Sequence, residues 1–217
     1  MKSVRQYISV LRNEYISQGI SAKDIASNPV DLFEKWIKNA VKNKVSFPNA
    51  MHLATVDHDG RPSGRIMLLR GFDERGFVFY TNYDSRKGDE LKRSNYASMT
   101  FFWSELFRQV RIEGNVYQIS AGESDNYFQS RPRESQISAL VSKQSKVLES
   151  RESLEKNVKE IQQRYRDQPI PRPVNWGGFY LSPICVEFWQ GRAHRLHDRI
   201  RYKLEKNNTW SIQRLYP

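Results

Sequence analysis

The run MHLATVDHDGRPSGRIMLLRGFDERGFVFYTN, Met51–Asn82, decides the fold class. Met51–Asp57 reads as a strand that ends in the turn His58-Asp59-Gly60. Arg65–Phe72 reads as a second strand, Asp73-Glu74-Arg75-Gly76 as a turn, and Phe77–Asn82 as a third strand. Short β-rich runs separated by glycine turns at this spacing predict an antiparallel meander able to close into a barrel.

The pattern continues on both sides. Upstream, Val4, Ile8, Leu11 and Tyr15 recur at helical spacing. Asn28-Pro29 reads as an N-cap followed by proline in the first turn, with Leu32, Phe33, Trp36, Ile37, Ala40 and Val41 as the apolar face behind it. Downstream, Ser85 caps a short helix, and Ala97–Trp103 and Gln109–Gln118 read as strands. Ser120 and Glu123 form a capping box for a helix through Phe128, and Pro132 forces a break near Arg131. A polar helix spans about Ser150–Tyr165, and 167–175, with three prolines, is a loop. Phe179–Leu181, Ile184–Gln190, Asp198–Lys206 and Trp210–Leu215 close the chain as β structure. The expected fold class is mainly β with peripheral helices, as one domain over 1–217 with an N-terminal helical segment over about 1–45.

Composition narrows the function. The 217 residues carry 35 Lys+Arg against 24 Asp+Glu, a formal charge of +11, which points to an anionic partner such as a phosphorylated small molecule or nucleic acid. Aromatics at 12 % exclude a disordered chain. A single cysteine, Cys185, excludes an intrachain disulfide and suits a reducing, cytoplasmic setting. No apolar run nears the ~20 residues that span a bilayer, and charges interrupt the opening MKSVRQYISVLRNEY, unlike a signal peptide. Four histidines and one cysteine show no zinc spacing, and no P-loop, G-x-G-x-x-G or G-x-S-x-G occurs.

Several constellations could bind anions. If a strand begins before Asp198, Arg195, His197 and Arg199 share a face, two guanidiniums flanking an imidazole; a basic surface strand is the plain alternative. Arg65 and Arg70 bracket an apolar run and would face opposite sides of a regular strand. They read equally well as two snorkelling arginines. Tyr80 to Lys87 runs from strand end to helix start, where free N–H groups, Ser85, Arg86 and Lys87 could cradle phosphate or simply cap a helix. Tyr127 and Arg131 lie one helical turn apart, with Ser135 after them and Gln144-Ser145 further on.

Glu187-Phe-Trp-Gln, four residues, then Arg195-Leu-His-Asp-Arg199 resembles the signature of the pyridoxine/pyridoxamine 5′-phosphate oxidases. Arg65-x-x-Leu-Leu, Phe79-Tyr80-Thr81-Asn82, Ser85-Arg86-Lys87, Arg108-Gln109-Val110, Tyr127-Phe-x-Ser-Arg131-Pro-Arg-x-Ser135, Val141-Ser-Lys-Gln144-Ser145 and Trp176-Gly-Gly are similar to that family in the same order, from about residue 12 to the end. The resemblance implies a split β-barrel and a homodimer whose two FMN sites lie at the interface. It implies oxidation of pyridoxamine or pyridoxine 5′-phosphate to pyridoxal 5′-phosphate, with O2 reduced to H2O2. By position, Arg65, Tyr80, Thr81, Arg86, Lys87, Gln109, Gln144, Ser145, Trp189 and Arg199 look like FMN contacts. Arg70, Tyr127, Arg131 and Ser135 look like the grip on the substrate phosphate, and Arg195 and His197 like the residues against the pyridine ring. Arg12 and Tyr15 resemble a segment that folds over the site.

Two positions depart from the pattern. Arg70 stands where the family usually has lysine, and Tyr216 where alanine usually precedes the last proline. The competing readings are a non-catalytic flavin- or pyridoxal-phosphate-binding protein on the same barrel, and a basic barrel that binds nucleic acid. Neither membrane nor nucleic acid is an expected partner of the oxidase.

Overall fold

Local chemistry sets where the helices start. In the computed structural model, which describes Tyr15 and residues 17–217, α1 spans Pro29–Lys42. The Asn28 side chain accepts from the Val30 N–H at 2.9 Å, and Pro29 needs no intrahelical partner there. Ser85 caps α2, Arg86–Arg93, by accepting from the Gly88 N–H. The expected box at Ser120 and Glu123 opens α3, Ala121–Ser130. Proline at 132 then starts a new helix, α4, Arg133–Val141. Ser150 caps α5, Arg151–Arg164. The expected helix over Val4–Tyr15 and the candidate Arg12 lie outside the described residues, apart from Tyr15, which is not helical.

Nine strands form one sheet: β1 Ala50–Val56, β2 Pro62–Leu68, β3 Gly71–Asp73, β4 Gly76–Asn82, β5 Tyr96–Trp103, β6 Arg108–Gln118, β7 Trp176–Gln190, β8 Asp198–Leu204 and β9 Trp210–Leu215. Hydrogen-bonded neighbours follow the order β2-β1-β5-β6-β7-β4-β3, with β8 on β7 and β9 on β8. The pairs β1–β2, β3–β4, β4–β7, β7–β8 and β8–β9 are antiparallel.

Three expectations change. Arg65–Phe72 is not one strand: Leu69 N–H bonds to Asn49 O at 2.8 Å while Arg70 N–H bonds to Val78 O at 2.9 Å. The chain switches partner between these two residues, so β2 ends and β3 begins on another neighbour. The two expected strands at 179–181 and 184–190 are one, β7. It pairs with β4 through Trp176–Leu181 and with β8 through Cys185–Gln190, and Pro183, which has no N–H to donate, falls between those two ladders. Finally, β8 begins at Asp198, and Ala193–Arg195 is a 3-10 turn with His194 and Arg195 in the left-handed region. Strand alternation therefore does not align Arg195 and His197 with Arg199.

The chain forms two compact units. One holds residues up to Pro48, Thr100–Arg111 and Cys185–Pro217. Its core is aromatic: Phe33 meets Phe101 at 5.0 Å, Trp36 meets Phe188 at 5.1 Å, and Phe188 meets Tyr202 at 5.7 Å. Each such fully buried ring contributes roughly 1.5–3 kcal/mol. The polar tips are satisfied, Trp103 Nε1 by Pro48 O and Tyr202 Oη by Ala26 O. The other unit holds Asn49–Met99 and Ile112–Ile184. Met51, Leu53, Phe77, Phe79 and Met99 are buried there. A second cluster of Phe128, Ile137, Ile170 and Trp176 seats α3 and α4.

Candidate functional site

In the unit of Asn49–Met99 and Ile112–Ile184, β4 and the first half of β7 run side by side and α3 packs on their ends. Their aromatic residues form a stack. Tyr80 and Tyr127 lie with ring centroids 3.7 Å apart and 17° between planes, and Tyr80 meets Trp176 at 5.5 Å and 14°. Burial pushes the Tyr80 phenol up to about 12, so it stays protonated. The stack walls a cavity of about 290 Å³ that also holds Arg70, Arg131 and Gln144. The Arg131 guanidinium sits over the Trp176 ring at 4.5 Å and over Phe128 at 5.7 Å. Its Nη1 is buried with no hydrogen-bond partner among the described residues, and burial, aided by Arg70, lowers its pKa. A buried guanidinium donor without an acceptor suits an anion. The α4 residues lining this cavity are Ser138 and Ala139, and Ser135 is not among them.

A second group sits at the β4–α2 corner of the same unit. Lys87 Nζ donates to Gln144 Oε1 at 2.9 Å and to Thr81 Oγ1 at 3.2 Å, so three expected residues meet. Lys87 is 7 % exposed, and burial, then Arg65, pulls its pKa down to about 8. Arg65 on β2 and Arg86 on α2 both reach Glu90, at 3.2 and 2.8 Å. Arg86, Glu90 and Ser145, the last in the left-handed region at φ 71°, line a further cavity of about 410 Å³. Gly88 is required at the turn into α2, because a Cβ there would strike Tyr83 O and Asn82 O.

The remaining expected residues lie in the other unit. Tyr15 packs edge-on against Trp189 at 5.5 Å and His197 at 5.4 Å, and Trp189 meets His197 at 4.7 Å. His197 Nδ1 accepts from the Arg192 N–H at 3.1 Å, so the neutral ring carries its proton on Nε2. Burial, then Arg195, lowers the His197 pKa. Arg195 is exposed beside it. Arg199 is engaged by Glu187 through two hydrogen bonds, at 2.9 and 3.0 Å, and its Nη1 donates to Tyr216 O. Gln109 is half-buried on β6.

Sequence reasoning missed the buried carboxylates Glu90 and Glu187. The first had a readable signal, since Arg86 and Glu90 are one helical turn apart. It also passed over Ser138, whose place in the cavity depends on how α4 packs.

Residues 37–165 match the family model described as pyridoxamine 5′-phosphate oxidase. Residues 176–217 match that of the pyridoxine 5′-phosphate oxidase C-terminal dimerisation region. Curated relatives named pyridoxine/pyridoxamine 5′-phosphate oxidase include one from Cyanothece sp., 50 % identical over 97 % of this chain and 98 % of its own length. Another, from Paraburkholderia phytofirmans, is 52 % identical over 97 % and 99 %. Among solved structures, PhzG from Burkholderia lata 383, in complex with tetrahydrophenazine-1-carboxylic acid, superposes with a TM-score of 0.87 at 32 % identity, covering 92 % of this chain and 98 % of that one. A pyridoxamine 5′-phosphate oxidase-related, FMN-binding protein from Nostoc punctiforme matches with a TM-score of 0.69 at 20 % identity, covering 85 % and 97 %, which speaks to fold alone. The expected split β-barrel is the fold these superpositions show.

Proposed function

This chain belongs to the pyridoxine/pyridoxamine 5′-phosphate oxidase family, and from that premise we propose that it oxidises pyridoxamine and pyridoxine 5′-phosphates to pyridoxal 5′-phosphate with FMN as cofactor. For the amine, one O2 and one water are consumed, and ammonia and H2O2 are released. The chain is an oxidoreductase with its family's dimerisation region, and a homodimer with FMN at the subunit interface is part of the proposal. A cytoplasmic setting is proposed as well.

The observation that carries this reading is the Arg131 guanidinium, stacked on Trp176 with a buried donor unused, in a cavity shared with Arg70. Two guanidiniums suit a phosphate dianion better than a neutral ligand. Tyr127 adds a wall for the substrate, and for Ser135, on α4, a substrate role rests on the family resemblance.

The donor set also fits FMN. Arg65, Arg86, Lys87 and Ser145 would hold its phosphate, with Tyr80, Thr81 and Gln144 of the same unit near it; for Gln109, Trp189 and Arg199 a flavin role rests on the family resemblance. When bound, FMN supplies the two-electron acceptor that O2 reoxidises. The protein's own task is to bind, orient and exclude water. Arg195 brings positive charge to the substrate ring. His197, neutral and locked in one tautomer by the Arg192 N–H, offers an Nε2–H donor. Tyr15, packed on Trp189 and His197, would lie beside the bound ring; for Arg12 a substrate role rests on the family resemblance alone.

A visible spectrum recorded before and after anaerobic addition of pyridoxamine 5′-phosphate tests this. A flavin spectrum that bleaches and returns with air supports it. A stable flavin spectrum supports a binding protein instead. The likeness to PhzG favours a second reading, oxidation of a reduced phenazine carboxylate. Bleaching by such a compound and not by the B6 phosphate would establish that alternative.

A further inference from the structure

Arg65 and Arg86 come from different elements, β2 and α2, yet their guanidiniums end on one carboxylate. Glu90 Oε2 accepts from Arg65 Nη2 at 3.2 Å and from Thr55 Oγ1 at 2.5 Å, and its Oε1 accepts from Arg86 Nε at 2.8 Å. Arg65 is tied further to the Ser63 hydroxyl and to Thr55. The Glu90 side chain is only 5 % exposed, whereas that of Arg86 is 61 % exposed. Glu90 thus borders the cavity but is largely covered, and the far more exposed Arg86 is the side chain it holds toward a ligand. The ion pair of Arg86 uses Nε, and among the described residues neither Nη group is engaged, so both face a ligand's anion.

Charge balance gives the reason for a buried carboxylate here. Arg65, Arg86 and Lys87 converge on one corner, and three cations brought together without a counter-charge repel one another. Burial opposes the ionised form of Glu90, but Thr55, Arg86 and Arg65 outweigh it and hold the carboxyl below its ordinary range. Lys87 is faced by Arg65 from β2, Thr81 from β4, Ser85 and Glu90 from the cap and body of α2, and Gln144 from the segment after α4. Of these, only Glu90 favours the charged ammonium electrostatically.

We propose that Glu90 is a positioning residue, whose buried carboxylate fixes the Arg65 and Arg86 guanidiniums so that they, beside Lys87, receive the phosphate of a flavin mononucleotide. This rests on the flavin reading above. Glu90 touches neither flavin nor substrate in this role.

The test compares FMN with riboflavin, which lacks the phosphate. Each is titrated into the full-length protein, stripped of flavin, with flavin fluorescence as the readout from pH 6 to 9. Glu90→Gln keeps the shape and removes the charge. FMN binding is expected to weaken about tenfold, the worth of one charge-assisted hydrogen bond, with riboflavin binding unchanged. The alkaline loss of FMN binding is expected to move to lower pH, because Glu90 is the anion that, among the described residues, favours the charged form of Lys87. Equal weakening for both ligands means a merely structural role and overturns the proposal, as does unchanged or tighter FMN binding. Should Glu90→Gln not fold, Thr55→Val removes one donor from the same carboxylate and is expected to act in the same direction, more weakly; no selective effect on FMN overturns the proposal again. Wild-type protein that binds no FMN sinks the flavin reading itself, whereas an indifferent variant of a wild type that does bind sinks only the role of Glu90.

Discussion

The Arg131 guanidinium lies over the Trp176 ring, 4.5 Å from its centroid, with Nη1 buried and unpaired. The indole face holds the cation in place without using any of its donors. A ligand phosphate would meet an arginine already desolvated and oriented. Arg131→Met is therefore expected to raise KM for pyridoxamine 5′-phosphate by about 30- to 100-fold, the cost of one charged hydrogen-bonding partner. Flavin absorbance of the purified variant is expected to stay at the wild-type level. Loss of flavin with substrate affinity would put Arg131 in the wrong site.

Arg195 is exposed, so removing it disturbs little packing. Arg195→Met is expected to impair substrate oxidation more than flavin retention. Steady-state rates and flavin content of the same preparation decide this. Equal loss of both would count against a role at the substrate ring.

His197 titrates below its ordinary 6.5, through burial first and Arg195 second. A folded pKa below the unfolded one means that the unfolded chain binds more protons as pH falls through this range. The neutral imidazole thus supports folding above about 6.5 and loses that support at lower pH. Arg195→Met removes one cause, so the His197 midpoint is expected to move up toward 6.5. Proton NMR titration of the imidazole would show the shift. An unmoved midpoint would mean that Arg195 does not act on this ring.

Lys87 sits buried with a pKa near 8, well below its ordinary 10.5. Its charged form opposes folding at every pH below 8, and that opposition fades as pH rises from 8 to 10.5. Lys87→Met is expected to raise the thermal midpoint of the flavin-free protein at pH 7, with the gain shrinking by pH 10, while weakening FMN binding. Thermal melts at the two pH values check the sign. A gain that is the same at both would show that the ammonium charge is not its source.

Gly76 begins β4 at φ 142°, and a Cβ there would run into Leu181 O of β7. The obstacle is backbone inside a paired ladder and cannot swing aside. Gly76→Ala is expected to cost about 2 kcal/mol or more, from clash and strained φ together. Urea unfolding measures it, and a variant of wild-type stability would show that the ladder yields.

Much of this molecule was legible because its signals are local. Asn28-Pro29, Ser85, Ser120 with Glu123, and Pro132 act on backbone groups within four residues, and each marks a helix boundary where expected. Thr81, Lys87 and Gln144, quoted from three separate motifs, converge through hydrogen bonds. The partner switch at Leu69–Arg70 was not legible, because Asn49 and Val78 are distant in the chain. Nor was the continuity of β7, since Pro183 reads as a break until two different neighbours lie on either side of it. The left-handed backbone of His194 and Arg195 carries no glycine to announce it.

By itself, the amino-acid order determined the helix starts, the antiparallel β class, the cationic character and, through its motifs, the family. Those properties depend on short-range sterics, capping and residue chemistry, which are written in consecutive positions. Only the tertiary structure decided which cations share a counter-charge: Glu90 holds Arg65 and Arg86, Glu187 holds Arg199, and Arg131 keeps a donor free. A carboxylate's partners are set by burial and by strand register, and both exist only once distant segments have packed.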